Sequence, residues 1–224
     1  MNTVLLEHEA RKVMGENGID VVPGMFCATK EEALDAADKI GYPVVLKVVS
    51  PDVIHKSDCG GVKLNLADRQ ALSMAYDEML REVHGHVPQA DIKGGLVTKF
   101  MGKCREVIIG AVNDNQFGPV IMVGLGGIFV EVFKDLSFGV APLSIDEAKE
   151  MLASLRSFPL LNGARGEKPV DLDALCRMIC KVSEYVYHHH VSELDLNPVF
   201  CSEDGVMAGD VRVLLDEQER ACCS

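Results

Sequence analysis

The sequence predicts an α+β fold made of two lobes. Short runs of β-branched and aliphatic residues alternate with stretches whose apolar residues recur at helical spacing, so strands and helices are mixed along the chain. The last two predicted strands are joined by Glu203-Asp204-Gly205, a hairpin signal. Strands that pair as hairpins favour α+β lobes over a doubly wound parallel sheet. Gly102 interrupts the pattern and marks the division between the lobes.

Length and composition narrow the class of protein. The chain has 224 residues, of which 48% are hydrophobic, so it can bury a substantial core. The formal net charge of −12 argues against a nucleic-acid surface, which needs a basic footprint. No signal peptide and no apolar run of membrane-spanning length is visible, so we expect no membrane association. The eight cysteines follow no zinc-site or disulfide spacing, which favours a reducing cytoplasm.

Helices and strands alternate in the first half. Apolar spacing predicts a helix over 2–17. Thr29 and Glu32 form a capping box that starts a second helix, and Asp68 starts a third. The predicted strands of this half are a short one at 19–22 and longer ones at 44–49, 62–66 and 93–101.

Strands dominate the second half. Ser144 and Glu147 form another capping box, and Asp171 caps a helix that runs to about residue 189. The predicted strands lie at 105–112, 120–123, 138–142, 193–201 and 206–214. The tail, 216–224, is expected to be frayed.

The stretch from Tyr42 to Asn65 carries the first candidate functional residues. Lys47 interrupts an apolar strand, where lysine is disfavoured unless its ammonium reaches water or an anion. His55 lies in the polar loop that follows, and a histidine can accept a phosphoryl group because it offers an unprotonated ring nitrogen near neutral pH. Gly60–Gly61 would let the loop swing. An edge-strand lysine facing solvent and an ordinary surface histidine remain the alternatives from this pattern alone.

The C-terminal strands carry hard oxygen ligands. Asn197 lies on one strand, within Asp195-x-Asn197-Pro198, and Asp210 lies on the next. Mg²⁺ is typically held by one or two carboxylates together with waters and substrate phosphates, so these side chains are candidate ligands. Polar residues near a turn on an exposed face are the alternative.

The common phosphate-binding loops are absent, and a glycine-rich stretch offers another possibility. Gly124–Gly127 does not complete a dinucleotide fingerprint, because Phe129 stands where the third glycine belongs. With Glu131 it could let the backbone approach a ligand, or it could be a tight turn between buried strands.

Seven segments occur in one order along nearly the whole chain, from about Leu5 to Leu214. They are Gly41-Tyr-Pro-Val-Val-Leu-Lys47, His55-Lys-Ser-Asp-x-Gly-Gly-Val-Lys63, Arg105-Glu-Val-Ile-Ile-Gly110, Phe117-Gly-Pro-Val, Gly124-Leu-Gly-Gly-Ile-Phe-Val-Glu131, Arg165-Gly and Glu193-Leu-Asp-x-Asn197-Pro198. Together they resemble the ATP-grasp (β) subunit of ADP-forming acyl-CoA synthetases, also called ADP-forming acetate–CoA ligases. That family is related to succinyl-CoA synthetase.

The resemblance implies an ATP-grasp fold, in which two α+β lobes clasp ATP. It assigns 20–102, with the His55 loop, to one lobe, and 1–19 plus 103–215 to the other. It implies that His55 takes part in phosphoryl relay and that Asn197 and Asp210 bind Mg²⁺. The residues that it places around the nucleotide are Lys47, Gly60, Gly61, the hinge residues Lys99, Phe100 and Met101, Glu106 and Arg165. Lys103-Cys104 stands where the family often has glycine, so the hinge departs from the pattern.

The implied activity is that of an acid–thiol ligase working as a complex: acyl-CoA + ADP + phosphate ⇌ carboxylate + CoA + ATP. The chain lacks a CoA-binding part, so the resemblance implies a partner, an α subunit with CoA-binding and phosphohistidine domains. Two other functions stay open. One is an ATP-grasp carboxylate–amine ligase, which needs no loop histidine. The other is a detached nucleotide-binding module with a regulatory role.

Overall fold

The computed structural model describes residues 3–53, 55–127, 130 and 132–216. The predictions for Glu131, for most of 128–133 and for the tail beyond Asp216 lie outside these residues. The chain divides into two compact units. We call Val22–Gly102 the small unit, and Met1–Val21 with Lys103–Ser224 the large unit.

Eleven strands and six α-helices are present in the described ranges. In chain order they are β1 (Thr3–Val4), α1 (Glu7–Glu16), β2 (Gly24–Cys27), α2 (Lys30–Ile40), β3 (Val44–Val49), β4 (Val62–Leu66), α3 (Arg69–His86), β5 (Gly94–Lys99), β6 (Arg105–Asp114), β7 (Gly118–Leu125), β8 (Leu136–Val140), α4 (Ile145–Ser154), α5 (Phe158–Leu161), α6 (Leu172–His188), β9 (Val191–Ser202), β10 (Gly205–Ala208) and β11 (Val211–Leu215).

The small unit is a four-stranded antiparallel sheet with two helices. Its strand order is β2-β5-β3-β4, so β3 and β5 are the inner strands. Every residue of β3 is buried, which explains its unbroken apolar character on either side of Lys47. Helices α2 and α3 pack on the sheet and fill the core with residues such as Ala33, Leu72 and Met79.

In its described residues, the large unit is a seven-stranded antiparallel sheet with four helices. The order is β1-β11-β9-β6-β7-β8, and β10 also pairs with β9. Helices α4 and α6 contribute apolar residues to a core that includes Leu152, Leu175 and Ile179. Helix α1 lies against β11 and buries Ala10 and Met14. This unit therefore has its own hydrophobic core.

Two of the expected elements at the N-terminus differ in the structure. The helix expected over 2–17 begins at Glu7, because Thr3 and Val4 pair with the last strand instead. The strand expected at 19–22 is wrong: only Val21 forms a bridge, to Ala208. Ile19 and Val22 are apolar because they pack in the interior. The strand that does form is β2, whose first three residues are exposed at a sheet edge, so it shows no apolar alternation.

The closing hairpin is more divided than the sequence suggests. The strand expected at 206–214 is split into β10 and β11 by Gly209 and Asp210. Helix α5, which begins at Phe158 and contains Pro159 in its first turn, is short and was not expected. The four predicted caps are present, since the side chains of Thr29, Asp68, Ser144 and Asp171 each accept a hydrogen bond from a first-turn amide.

Two further observations bear on the class of protein. Among the described residues, no helix combines the length and the apolar character that crossing a bilayer requires. The six cysteines in the described ranges are all free thiols, and five of them are buried.

Candidate functional site

Lys47 lies in the interior of the small unit. Its strand has neighbours on both sides, since Lys47 is opposite Leu96 of β5 and Val62 of β4. The residue is only 8% exposed. The alternative of an edge-strand lysine facing solvent is therefore wrong. An ammonium group pairs favourably with anions, so a ligand phosphate is a chemically suitable contact for the Lys47 side chain.

His55 is exposed in the middle of the loop between β3 and β4. It precedes a single turn of 3₁₀-helix, Lys56–Cys59. The His55 carbonyl accepts hydrogen bonds from the Asp58 amide at 3.2 Å and from the Cys59 thiol at 3.7 Å. The backbone of the loop is thus ordered by local bonds, while the histidine ring remains accessible to a reacting group.

The glycine pair after this turn has a packing role in the structure. Gly60 adopts a left-handed conformation with φ of +72°, which glycine tolerates best. A Cβ on Gly61 would lie 2.6 Å from Val48 Cγ1 and 2.9 Å from the Lys56 carbonyl oxygen. The Gly61 amide bonds Lys56 O, and its carbonyl accepts from the Val48 amide, each at 2.7 Å. A swinging motion about this pair remains a prediction.

Lys63, the last lysine of the same stretch, is held by helix α3. Its Nζ lies 2.9 Å from Glu82 Oε2 and 3.4 Å from Glu78 Oε2. Burial alone would lower the pKa of Lys63, but the hydrogen bonds and charges of the two glutamates outweigh it and raise that pKa. Lys63 is therefore engaged in structure.

The expected hinge residues are tied to the small unit by backbone bonds. The Lys99 amide donates to Pro23 O at 2.9 Å, and the Phe100 amide donates to Pro43 O at 3.2 Å. The Lys99 ammonium donates to Gly41 O at 2.7 Å, at the C-terminal end of α2. A backbone carbonyl oxygen has two lone pairs, so the carbonyl groups of this segment can accept a further hydrogen bond from a ligand.

In the large unit, Glu106 and Arg165 lie on separate elements. Glu106 is exposed on β6, and its carbonyl accepts a bond of 2.7 Å from the Gly126 amide in the glycine-rich stretch. Arg165 is in a 3₁₀ turn, Ala164–Gly166. Arg105 holds the end of that turn through an ion pair with Glu167 and a bond of 3.3 Å to Leu160 O.

Asn197 and Asp210 are brought together by strand register. Strand β9 pairs antiparallel with β10 up to Ala208–Val199, and with β11 from Val211–Leu196 onward. Both ladders share one register, so Gly209 stands across from Pro198 and Asp210 across from Asn197. The Gly209 amide donates to Pro198 O at 2.8 Å, which fixes this pairing. The register thus places Asp210, in the connection between β10 and β11, across from Asn197 of β9.

A β-bulge on the other side of β9 marks the same place. Strand β6 pairs with β9 at Val107–Val199 and at Ile109–Leu196, so Asn197 and Pro198 together oppose the single residue Ile108. A bulge bends the strand and redirects a side chain, and bulges are frequent beside functional sites. The bulge also accommodates Pro198 within an inner strand, because proline has no amide hydrogen to donate to a neighbouring strand.

The charge around this site is predominantly negative. Burial raises the pKa of Asp195, and the nearby charges of Asp210 and Glu193 raise it further, while Arg212 opposes them. Carboxylates that disfavour one another's charge make a place favourable for a cation. One carboxylate and one amide oxygen opposite each other form a ligand set that fits Mg²⁺ completed by waters and phosphates.

Sequence reasoning missed one charged pair beside this site. Glu7 and Arg11 are both buried on the inner face of α1, in line with Ala10 and Met14. Two charges at i, i+4 within an apolar stripe are the signal that could have revealed them, because charged residues are seldom fully buried unless paired.

Comparisons with known proteins place the chain in a family. A sequence model for the ATP-grasp domain matches residues 1–215. The chain belongs to the ATP-grasp family. The mixed helices and antiparallel sheets of this ATP-grasp chain agree with the α+β class predicted from its sequence.

The ATP-grasp chain has relatives among ADP-forming acetate–CoA ligases. It is 43% identical over 215 residues to subunit beta of acetate–CoA ligase (ADP-forming) I of Pyrococcus furiosus, covering 96% of this chain and 93% of that one. It is 47% identical over 211 residues to acetate–CoA ligase (ADP-forming) I of Archaeoglobus fulgidus, covering 94% of this chain but 31% of the relative. The chain therefore matches a separate beta subunit end to end and about a third of the longer relative. The resemblance found in the sequence is confirmed.

Two solved structures of one archaeal protein are similar throughout. They are of the dinucleotide-forming acetyl-coenzyme A synthetase 1 of Candidatus Korarchaeum cryptofilum, and each match covers 95% of this chain and 93% of that one. The complex with coenzyme A, Ca-AMPCP and HgCl⁺ has a TM-score of 0.93 and 43% identity. The complex with coenzyme A and Mg-AMPPCP, whose phosphohistidine segment points towards the nucleotide-binding site, has a TM-score of 0.83 and 40% identity.

Proposed function

We propose that this chain is the nucleotide-binding β subunit of an ADP-forming acyl-CoA synthetase. The observation that carries the proposal is the end-to-end match with a separate beta subunit, 93% of which is covered. The family relationship supports a ligase, and the buried Lys47, the accessible His55 and the paired Asn197 and Asp210 supply chemistry suited to phosphoryl transfer.

We propose that the small unit handles the phosphates. Lys47 would neutralise charge on a nucleotide phosphate, since its ammonium is buried on an inner strand. His55 would carry the phosphoryl group on a ring nitrogen, next to a loop whose backbone is already ordered by Gly61. The segment Lys99–Met101 would face the adenine. Little covalent chemistry is required of the protein, so positioning and charge stabilisation would supply most of the rate.

In the large unit, Asn197 and Asp210 would hold Mg²⁺, with Glu106 and Arg165 as further nucleotide contacts. When bound, the metal would neutralise phosphate oxygens. A structure of a similar protein contains Mg-AMPPCP, which supports a magnesium–nucleotide complex here. The free thiols fit a reducing compartment, for which we retain the cytoplasm as a prediction.

The overall reaction proposed is acyl-CoA + ADP + phosphate ⇌ carboxylate + CoA + ATP. In the direction of ATP formation, the N–P bond of a phosphohistidine on the α subunit breaks as a new N–P bond forms on His55. That second bond then breaks as an O–P bond forms to the terminal phosphate of ADP. The partner would contribute CoA binding and the acyl site, in agreement with a longer relative in which this chain corresponds to about a third of the length.

The test is to incubate the chain with Mg²⁺ and ATP labelled in the γ-phosphate, with and without the cognate α subunit. We expect acid-labile, base-stable label on His55. His55→Asn should abolish it and should reduce acyl-CoA synthesis with the partner by at least a thousandfold. The matched control is His84→Asn, because His84 is also an exposed histidine of the small unit but lies on α3.

The alternatives predict different results. A carboxylate–amine ligase would turn over ATP equally well with or without His55. A regulatory module would bind nucleotide without labelling and without turnover. If His55→Asn and the unsubstituted chain support equal acyl-CoA synthesis with the partner, the relay through His55 is wrong.

A further inference from the structure

Arg11 is an arginine buried in the large unit beside the predicted metal ligands. It is 6% exposed and lies on the inner face of α1, one turn after the equally buried Glu7. The Arg11 Nη1 atom is 3.7 Å from Glu7 Oε1. Burying a guanidinium carries a large desolvation penalty, so its position calls for compensating contacts.

The guanidinium contacts the residue that precedes Asp210. Arg11 Nη1 donates a hydrogen bond of 3.0 Å to the carbonyl oxygen of Gly209, 198 positions away in the chain. The positive charge of Arg11 also interacts favourably with the carboxylate of Asp210. Through one side chain, helix α1 thus bonds Gly209 and attracts the charge of Asp210, the two residues that separate β10 from β11.

The connection held by Arg11 has little freedom of its own. The Gly209 amide is bound to Pro198 O at 2.8 Å, and the Ala208 amide to Asp20 O at 2.9 Å. A Cβ on Gly209 would lie 3.1 Å from Pro198 O and 3.0 Å from Phe200 Cδ2, so the backbone passes close to β9. With its amide and its carbonyl both engaged, Gly209 cannot rotate without breaking one of these bonds.

We infer that Arg11 is a positioning residue. It fixes the carboxylate of Asp210 in the orientation that divalent-metal binding requires. The inference rests on the proposed function, because it takes Asp210 as a metal ligand. Arg11 itself does not touch the metal or the nucleotide. Its contribution is made before the ligand arrives, by holding the Gly209 carbonyl and by attracting the Asp210 carboxylate. Partners of this kind typically account for tenfold to hundredfold in metal affinity.

The binding test uses Mn²⁺ as the probe, with the whole chain saturated by ADP. Free Mn²⁺ is followed by electron paramagnetic resonance, and a titration of ADP without protein is subtracted. Arg11→Gln should raise the Mn²⁺ dissociation constant at least tenfold. Lys12→Gln is the matched control, because Lys12 is the next residue of α1 and its side chain is 77% exposed. It should leave the constant unchanged within twofold.

A second measurement separates positioning from general destabilisation. Amide hydrogen exchange of the metal-free protein should become faster at Gly209 and Asp210 in Arg11→Gln, while the core strands β6 and β7 keep their protection. If Arg11→Gln does not fold, the double variant Glu7→Gln/Arg11→Gln replaces it, because removing both charges together leaves neither of them unpaired in the interior. The same tenfold loss is expected from the double variant.

Two failures can be told apart. If the unsubstituted chain binds no Mn²⁺ in the presence of ADP, the proposed metal site is wrong. If that chain binds Mn²⁺ and the folded Arg11 variant binds it equally well, the metal site stands and the positioning role of Arg11 is overturned. If amide exchange becomes faster to the same extent throughout the large unit, with no larger change at Gly209, the positioning role of Arg11 is also overturned.

Discussion

Single polar residues in this chain differ sharply in what their burial achieves. Lys47 and Lys63 lie on adjacent strands of the same sheet, and Lys63 is held by carboxylates from α3. Arg11 is buried to hold a backbone carbonyl. Positive charges on separate elements are thus used to hold structure, Lys63 through carboxylates and Arg11 through a carbonyl oxygen.

The two lysines give a direct comparison. Lys47→Met keeps the apolar stem, so the fold should persist, but ADP affinity should fall tenfold to hundredfold, because a hydrogen bond to a charged group contributes about 1.5–3 kcal/mol. Lys63→Met is the control on the neighbouring strand and should change ADP affinity less than twofold. Isothermal titration calorimetry measures both. Equal losses in the two variants would contradict the assignment of Lys47.

Asp135 gives a pH-dependent prediction. It accepts hydrogen bonds from the amides of Arg156 at 2.9 Å and Ser157 at 2.8 Å. Burial alone would raise the pKa of Asp135, but the hydrogen bonds from Ser157 and Arg156 outweigh it and lower that pKa. A carboxyl group whose pKa is lower in the folded state stabilises the fold above its ordinary pKa of about 4. That stabilisation is lost as the pH falls through the folded-state value.

Asp135→Asn should therefore reduce Tm at pH 7 by about 4–8 °C, corresponding to about 2 kcal/mol, because the amide group offers one acceptor where two amides donate. The difference should shrink below about pH 4. Asp20→Asn, at an exposed position of the same unit, is the control. A Tm difference that does not depend on pH, measured by differential scanning calorimetry, would rule out this account of Asp135.

At the scale of elements, the loop after β3 is defined by close packing around glycine. Gly61→Ala would push against Val48 and the Lys56 carbonyl, so Tm should fall by about 2–12 °C, as overpacking costs about 1–3 kcal/mol. Phosphorylation of His55 should slow as well, since Lys56 follows the histidine directly. The control is Gly85→Ala on α3, where an added Cβ meets nothing within 4 Å and should leave Tm unchanged or higher.

Elements with strong local signals could be predicted from the sequence, and elements defined by distant contacts could not. The capping residues Thr29, Asp68, Ser144 and Asp171 act through bonds two or three residues away, and all four are caps in the structure. Strand β2 exists because β5 pairs with it, and its exposed residues carry no pattern. Locally, 206–214 reads as one strand, and only its pairing with β9 shows the break at Gly209 and Asp210.

The candidate site followed the same rule. Lys47, Asn197 and Asp210 were predicted from residue type and from the family resemblance. The burial of Lys47 and the opposition of Asn197 to Asp210 depend on strand order, which short-range patterns do not contain. Arg11 was not predicted from the sequence, because its partner Gly209 is 198 residues away in the chain. A charged pair within an apolar helix face was its visible sign.

At the scale of the whole molecule, each unit has a hydrophobic core of its own. Met79 is fully buried in the small unit, and Leu152 is 1% exposed in the large one. Met79→Ala should destabilise its unit by about 2–5 kcal/mol. Hydrogen exchange followed by mass spectrometry should then become faster within 22–102, and Leu152→Ala should produce the converse pattern in the large unit. Equal acceleration in both units by either variant would contradict separate cores.

The common register of β10 and β11 along β9 restricts how the length of this chain can change. Residues alternate between the two faces of a strand, so adding or removing one residue between Ala208 and Val211 would turn over every side chain of β11. Val211 and Val213, now buried, would exchange faces with Arg212. A substitution in this connection acts at its own position, whereas an insertion or a deletion alters all of β11. The number of residues between these two strands is therefore constrained more strictly than the identity of most residues within them.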